Sequence, residues 1–173
     1  MERKSCLKSE DLGTSKEIKF ISNSYLETIN LGRKISRYLK GGEIICLFGE
    51  MGAGKTTLIY GIAQGLGIKK EYIISPSFVF LRQYRGEKIL NHFDLYRLKS
   101  TEEICDLGYE EFFYSEAITV IEWAEKLGSL LPKEFLRIIL EHLSENKRII
   151  RISGVGQNYE ELARKLKDLR LRR

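Results

Sequence analysis

Residues Gly49-Glu50-Met51-Gly52-Ala53-Gly54-Lys55-Thr56 carry the spacing GxxxxGK[ST]. Glycines at these positions let successive backbone N–H groups turn inward around an anion, and the helix that follows directs its positive end to the same point. With that spacing Lys55 reaches the β- and γ-phosphates of a nucleoside triphosphate, and the Thr56 hydroxyl is a ligand for Mg²⁺. The candidate nucleotide-binding residues are Glu50, Met51, Gly52, Ala53, Gly54, Lys55, Thr56 and Thr57. Thr57 supports the helix start and lies within reach of an α-phosphate.

Binding alone does not hydrolyse. A phosphate loop needs a second acidic residue at the end of a neighbouring strand, where it holds the metal or its water. Two acids satisfy this from sequence. Asp94 closes Ile89-Leu90-Asn91-His92-Phe93, and Glu122 closes Ala117-Ile118-Thr119-Val120-Ile121. Both belong at strand C-terminal edges, where open α/β sheets place their ligands. Ser75-Pro76-Ser77 is either a plain turn or a switch whose Ser77 hydroxyl senses the γ-phosphate and its metal. Trp123, the only tryptophan, follows Glu122 directly and belongs either to the core or beside the nucleotide. His92, next to Phe93, reads as a packed histidine, because nothing nearby completes a metal cluster.

The surrounding pattern supplies elements to position these groups. An amphipathic helix is expected from Ser22 to Leu39, capped by Ser22, Asn23 or Ser24 and ended by Gly41-Gly42. Glu43 to Phe48 is a continuous apolar run, the mark of a strand covered on both faces. Lys55 to Leu66 has helical spacing, with Gly65 and Gly67 as the stop. Tyr72 to Ile74 reads as a short strand. Phe78 to Tyr84 and Lys88 to Phe93 flank Arg85-Gly86-Glu87 as a hairpin. Ser100-Thr101-Glu102-Glu103 opens a short helix, Ala117 to Ile121 is a second buried strand, and Phe135 to Leu143 and Lys147 to Ile152 are two more strands. Tyr159 to Leu171 is a basic helix with Leu162, Leu166 and Leu169 on one face. The pattern predicts an α/β fold: a P-loop NTPase-like three-layer sandwich with a mostly parallel central sheet, an added antiparallel hairpin and helices on both faces.

The 173 residues, 43% hydrophobic and 31% charged, have ordinary globular composition and length for one domain. Residues 1–16 read as a mobile leader and 17–173 as that domain. No apolar run approaches the roughly 18 residues that cross a bilayer, and the first residues lack the apolar stretch of a secretory signal. A cytoplasmic protein is expected. Cys6, Cys46 and Cys105 are odd in number and scattered, so neither a disulfide framework nor a zinc site is indicated. The net charge of +5 permits a weak attraction to nucleic acid or an acidic protein, much of it from the C-terminal Lys and Arg residues.

Taken together, Gly49 to Thr57, Ser75-Pro76-Ser77-Phe78, Asn91-His92-Phe93-Asp94-Leu95-Tyr96-Arg97-Leu98, Leu107-Gly108 and Ile121-Glu122-Trp123 resemble the bacterial TsaE (YjeE) family. The resemblance runs in order through roughly residues 20 to 155, with HFDLYRL its most specific part. It implies a small ATPase of the machinery that makes threonylcarbamoyladenosine in tRNA, acting with TsaB and TsaD subunits and meeting tRNA indirectly through that complex. It assigns Thr56 and Glu122 to Mg²⁺, Asp94 to catalysis near the γ-phosphate with Lys55, Ser77 to the switch position and Trp123 to the nucleotide site. The chain departs from the family pattern in having Ser77 where threonine is usual and Ala124 where proline is usual. Arg97 is a candidate arginine finger.

Two rivals share parts of this reading. A small-molecule kinase would use the same loop and a strand-end carboxylate, but no arginine-rich lid is evident. A non-catalytic, nucleotide-gated module binding protein or RNA would draw on the basic C-terminal helix, yet no aromatic and basic stacking platform accompanies it. A GTPase is disfavoured, since Asn146-Lys147-Arg148-Ile149 lacks the aspartate of NKxD.

Overall fold

A computed structural model describes residues 17–73 and 79–170. The proposed leader, the switch residue Ser77 and the last three residues lie outside the described residues. Seven strands form one sheet: β1 (Ile18–Ser22), β2 (Ile44–Phe48), β3 (Leu81–Arg85), β4 (Ile89–Asp94), β5 (Ile118–Glu122), β6 (Phe135–His142) and β7 (Arg148–Val155). The helices are α1 (Tyr25–Ser36), α2 (Lys55–Gly65), α3 (Thr101–Asp106), α4 (Tyr109–Phe113) and α5 (Gln157–Leu166), with short 3-10 turns between some of them.

The strand order is β1-β7-β6-β2-β5-β4-β3. The four central strands run parallel, β2 lying between β6 and β5, with β4 beyond β5. Antiparallel pairs close both edges, β3 on β4 at one side and β7 on β6 with β1 on β7 at the other. Parallel central strands must be covered on both faces, and the side chains of β2 divide accordingly. Ile45 and Leu47 enter a core formed with α1, α2 and α5, whereas Ile44 and Cys46 enter a second core with α3, α4 and Phe135. Ile45, Cys46 and Leu47 are fully buried, and a Leu or Ile so placed contributes about 1.5–3 kcal/mol. The α/β sandwich expected from the sequence is therefore present.

Local signals explain most element boundaries. Of the candidate caps for α1, Ser24 is the one used: its hydroxyl accepts the Glu27 N–H at 3.1 Å, and the helix starts at Tyr25. Ser22 is instead buried at the end of β1, with its hydroxyl 2.8 Å from that of Thr28. The α1–α2 contact is unusually close because Gly32 and Gly61 face it; a Cβ on Gly61 would overlap the Ile29 carbonyl oxygen.

Several expectations are corrected. Lys70–Tyr72 is a 3-10 turn, and no strand is present at Tyr72 and Ile73. The turn buries no side chain, and β4 already has β5 and β3 on its two sides, so no sheet position is open to it there. Residues 18–21, unassigned from sequence, and Ser22, expected to open the first helix, pair with β7 in the register Ile18↔Ile152 to Ser22↔Arg148. β3 starts at Leu81, so Val79 and Phe80 of the expected strand form a turn instead, with Phe80 at φ 60°, and Phe78 lies outside the described residues. α4 was not anticipated. α5 ends at Leu166 and continues only as a 3-10 turn to Arg170.

Candidate functional site

The C-terminal ends of β2, β4 and β5 converge on one cleft. β2 runs straight into the glycine loop, and β4 and β5 pair in a register that sets Asp94 directly beside Glu122 and Leu47 beside Glu122 on the other side. Along β4, Leu90, His92 and Asp94 alternate onto the face that α2 covers, and along β5 Val120 and Glu122 do the same. The N-terminus of α2 thus lies over both carboxylates. A cleft of about 470 Å³ is lined by Met51, Gly52, Gly54, Lys55, Thr56, Thr57, Asp94, Tyr96, Arg97, Glu122 and Trp123.

The loop has the backbone that anion binding demands. Gly49, Gly52 and Gly54 have φ of 137°, 77° and 103°, values side-chain-bearing residues rarely adopt. At Gly49 the constraint is double, since a Cβ would also overlap the Leu140 carbonyl oxygen on β6. Ala53 is buried and its N–H reaches the Glu50 carbonyl at 3.2 Å, closing the loop as a turn. Glu50 and Met51 are exposed at its tip.

Lys55, the first residue of α2, is buried. Its Nζ donates to the Gly49 and Glu50 carbonyls at 2.5 and 2.9 Å and lies 3.6 Å from the centroid of the Trp123 ring. Burial lowers its pKa from the usual lysine value, opposed by the negative charges of Glu122, Glu125 and Asp94. Thr56 Oγ1 lies 2.8 and 3.0 Å from the two Glu122 carboxylate oxygens. Glu122 is 2% exposed and Asp94 4%. Asp94 Oδ1 accepts the Tyr96 N–H at 3.1 Å. The Tyr96 and Trp123 rings lie 5.0 Å apart at the cleft wall, and Lys126 Nζ donates to the Tyr96 and Leu98 carbonyls, fixing the segment after β4. Trp123 itself has φ 60°, a strained backbone for a non-glycine residue, immediately after the strand-end acid.

The donor set suits a hard cation. Thr56, Glu122 and Asp94 present oxygen ligands, and among the described residues no group of three or more His, Cys, Asp or Glu residues could hold a metal by itself. Mg²⁺ is commonly held in that way, by one or two protein oxygens with substrate phosphates completing its shell. Of the residues singled out from sequence, Met51, Gly52, Gly54, Lys55, Thr56, Thr57, Asp94, Glu122, Trp123 and the candidate finger Arg97 all meet at this cleft.

One residue with a direct bond into the site was misjudged. His92, taken as a packed histidine, is indeed buried, but its Nε2 lies 2.8 Å from Glu122 Oε1. The signal was present in the β4 alternation, which sets His92 on the same face as Asp94, two residues away. A larger cleft of about 1200 Å³ opens at the opposite end of the parallel strands, where β2 and β6 begin, lined among others by Lys40, Lys133, Glu134 and Glu161. Its charges are mixed and its lining contains neither the glycine loop nor the strand-end carboxylates, so the smaller cleft is the candidate site. Among the described residues no helix is long and apolar enough to cross a membrane.

Comparison with known proteins agrees with this geometry. The family model described as "Threonylcarbamoyl adenosine biosynthesis protein TsaE" matches residues 22–150. The curated "tRNA threonylcarbamoyladenosine biosynthesis protein TsaE" of Bacillus subtilis is 34% identical over 152 residues, 87% of this chain and 94% of the relative. The protein of the same name from Treponema pallidum is 39% identical over 133 residues, 77% of this chain and 98% of the relative. The crystal structure of Bacillus subtilis YdiB superposes with a TM-score of 0.77 at 30% identity, covering 90% of this chain and 97% of that one. A glycine loop that opens onto paired strand-end carboxylates, on a sheet shared with that structure and a sequence matched by that model, places this chain in the TsaE family.

Proposed function

We propose that this chain binds and hydrolyses ATP with Mg²⁺ and that this cycle serves threonylcarbamoyl modification of the adenosine beside the anticodon in tRNA, in the cytoplasm and together with TsaB- and TsaD-like subunits. The observation that carries the reading is the pair of hydrogen bonds from Thr56 Oγ1 to the two Glu122 oxygens at the mouth of the glycine loop. Donating its proton to Glu122 leaves the Thr56 oxygen's lone pairs for a cation, and Glu122 is placed to hold that cation's water. The family relationship supports the tRNA pathway.

The residues divide the work as follows. Loop amides and the α2 N-terminus stabilise phosphate charge. Lys55 exchanges its carbonyl and Trp123 contacts for phosphate oxygens. Mg²⁺, when bound, neutralises charge that develops on the leaving phosphate. Asp94, held through Oδ1 by the Tyr96 N–H, orients the attacking water and takes its proton as the bond between the γ-phosphorus and the bridging oxygen breaks. Trp123 and Tyr96 wall the site. Turnover by the isolated chain is expected to be slow, with a partner supplying or positioning the remaining positive group.

Reconstituting tRNA modification from purified subunits tests the proposal. The product is expected to require this chain, ATP and an intact Lys55. Undiminished modification with Lys55→Ala, or without the chain, would refute the role.

A further inference from the structure

His92, on β4 next to the edge strand β3, is 1% exposed on the sheet face that α2 covers. Its Nε2 lies 2.8 Å from Glu122 Oε1, while its Nδ1 is buried with no hydrogen-bond partner among the described residues. A carboxylate only accepts, so the Nε2 nitrogen carries the proton and Nδ1 is left as an orphaned acceptor. An unpaired buried polar atom costs about 1–3 kcal/mol, which an apolar side chain at this core position would avoid. Packing alone therefore gives no reason for an imidazole here; the bond to Glu122 does.

That bond completes a three-residue chain. Thr56 Oγ1 touches both Glu122 oxygens at 2.8 and 3.0 Å, and His92 approaches Oε1 from the sheet. The Thr56 bonds come from the first turn of α2, the element that any bound nucleotide would pull upon. The His92 bond comes from β4, a strand paired on both sides. His92 is anchored on both sides, its strand pairing with Arg82 of β3 and Val120 of β5 in register and its ring 6.3 Å from that of Tyr84. It thus supplies the rigid end of the chain.

We infer that His92 is a positioning residue, a buried tether that holds the Glu122 carboxylate in the orientation in which it and Thr56 together grip Mg²⁺ and its water. This rests on the reading of the cleft as a magnesium–ATP site. His92 touches neither nucleotide nor metal, and its effect is felt only when the metal is present. Removal of a group that orients a metal-holding side chain typically costs 10–100-fold in metal affinity.

Calorimetric ATP affinities in excess magnesium and in excess EDTA, for the wild-type chain and its His92→Asn, His92→Gln and Glu122→Gln variants, provide the test. His92→Asn loses the donor at the Nε2 position, and the magnesium-dependent gain in ATP affinity is expected to fall about 10-fold with affinity in EDTA unchanged. His92→Gln returns an amide N–H to that position and is expected to restore most of the gain. Adding His92→Asn to Glu122→Gln is expected to have no further effect. A His92→Asn variant that weakens ATP equally in both buffers, or leaves the magnesium gain intact, would overturn the inference. Nitrogen-15 spectra of the wild-type imidazoles give a readout independent of variant folding: the Nε2–H tautomer of His92 supports the tether, and the Nδ1–H tautomer overturns it. Absence of ATP binding by the wild-type chain in both buffers would instead overturn the nucleotide reading itself, an outcome distinct from a selective failure at His92.

Discussion

The Lys55 ammonium lies 3.6 Å from the centroid of the Trp123 ring while donating to the carbonyls of Gly49 and Glu50. A cation over an indole face gains about 0.5–2 kcal/mol, so the lysine is held inside the loop by its own chain. To reach phosphate oxygens it must leave both the carbonyls and the ring. Trp123 is the only tryptophan, so its emission reports that move. Magnesium–ATP is expected to change the fluorescence along a saturable curve, and Lys55→Ala to abolish the response. Constant wild-type emission under conditions where calorimetry detects binding would contradict the exchange.

Asp94 and Glu122 stand side by side on adjacent strands, yet their partners differ. Asp94 is held by the Tyr96 N–H and Glu122 by Thr56 and His92. Asp94→Asn is therefore expected to lower ATP turnover about 100-fold or more while leaving ATP affinity close to that of the wild-type chain. Steady-state turnover alongside calorimetry checks this. Equal loss of affinity and turnover would move Asp94 from the reaction to the binding of ATP.

At Gly61 the sheet-covering helices meet backbone to backbone, and a Cβ would overlap the Ile29 carbonyl oxygen. Helix propensity alone favours alanine over glycine by about 1 kcal/mol. Gly61→Ala is nonetheless expected to destabilise the chain by about 1–3 kcal/mol through overpacking. Thermal melting measures the sign directly, and a raised midpoint would show that α1 and α2 are not in close contact.

Tyr159 on α5 accepts the Ile44 N–H with its hydroxyl at 2.7 Å, and burial raises its pKa above the usual tyrosine value of 10.0. The fold thus favours the neutral phenol. Its contribution is fully present below pH 10.0 and is lost as pH rises through the raised folded value. Tyr159→Phe is expected to cost about 1 kcal/mol at neutral pH and to reduce the alkaline decline in stability. Denaturant midpoints measured across that range for both proteins check it; parallel declines would contradict the assignment.

The legible parts of this molecule are those whose chemistry is local. The loop from Gly49 to Thr56 declares itself by spacing, β2 as an unbroken apolar run and β5 as one interrupted only by Thr119 before its closing acid, the pattern of a doubly covered strand. The helix capped by Ser100 follows from its cap. What escaped reading depends on distant partners. Ile18–Ser22 is a strand because β7 offers it an edge. Lys70–Tyr72 is not one because it has no partner strand and buries no side chain. His92 looked like a packing residue because its bond is to Glu122, thirty residues away in sequence, and only the parallel pairing of β4 with β5 brings them together.

Magnesium-dependent ATP binding measured by isothermal titration calorimetry tests the central claim most directly. The account predicts saturable association with one nucleotide per chain, lost in Lys55→Ala although that variant remains folded by circular dichroism. An absence of heat from the wild-type chain with magnesium present, or an unchanged isotherm in Lys55→Ala, would contradict it.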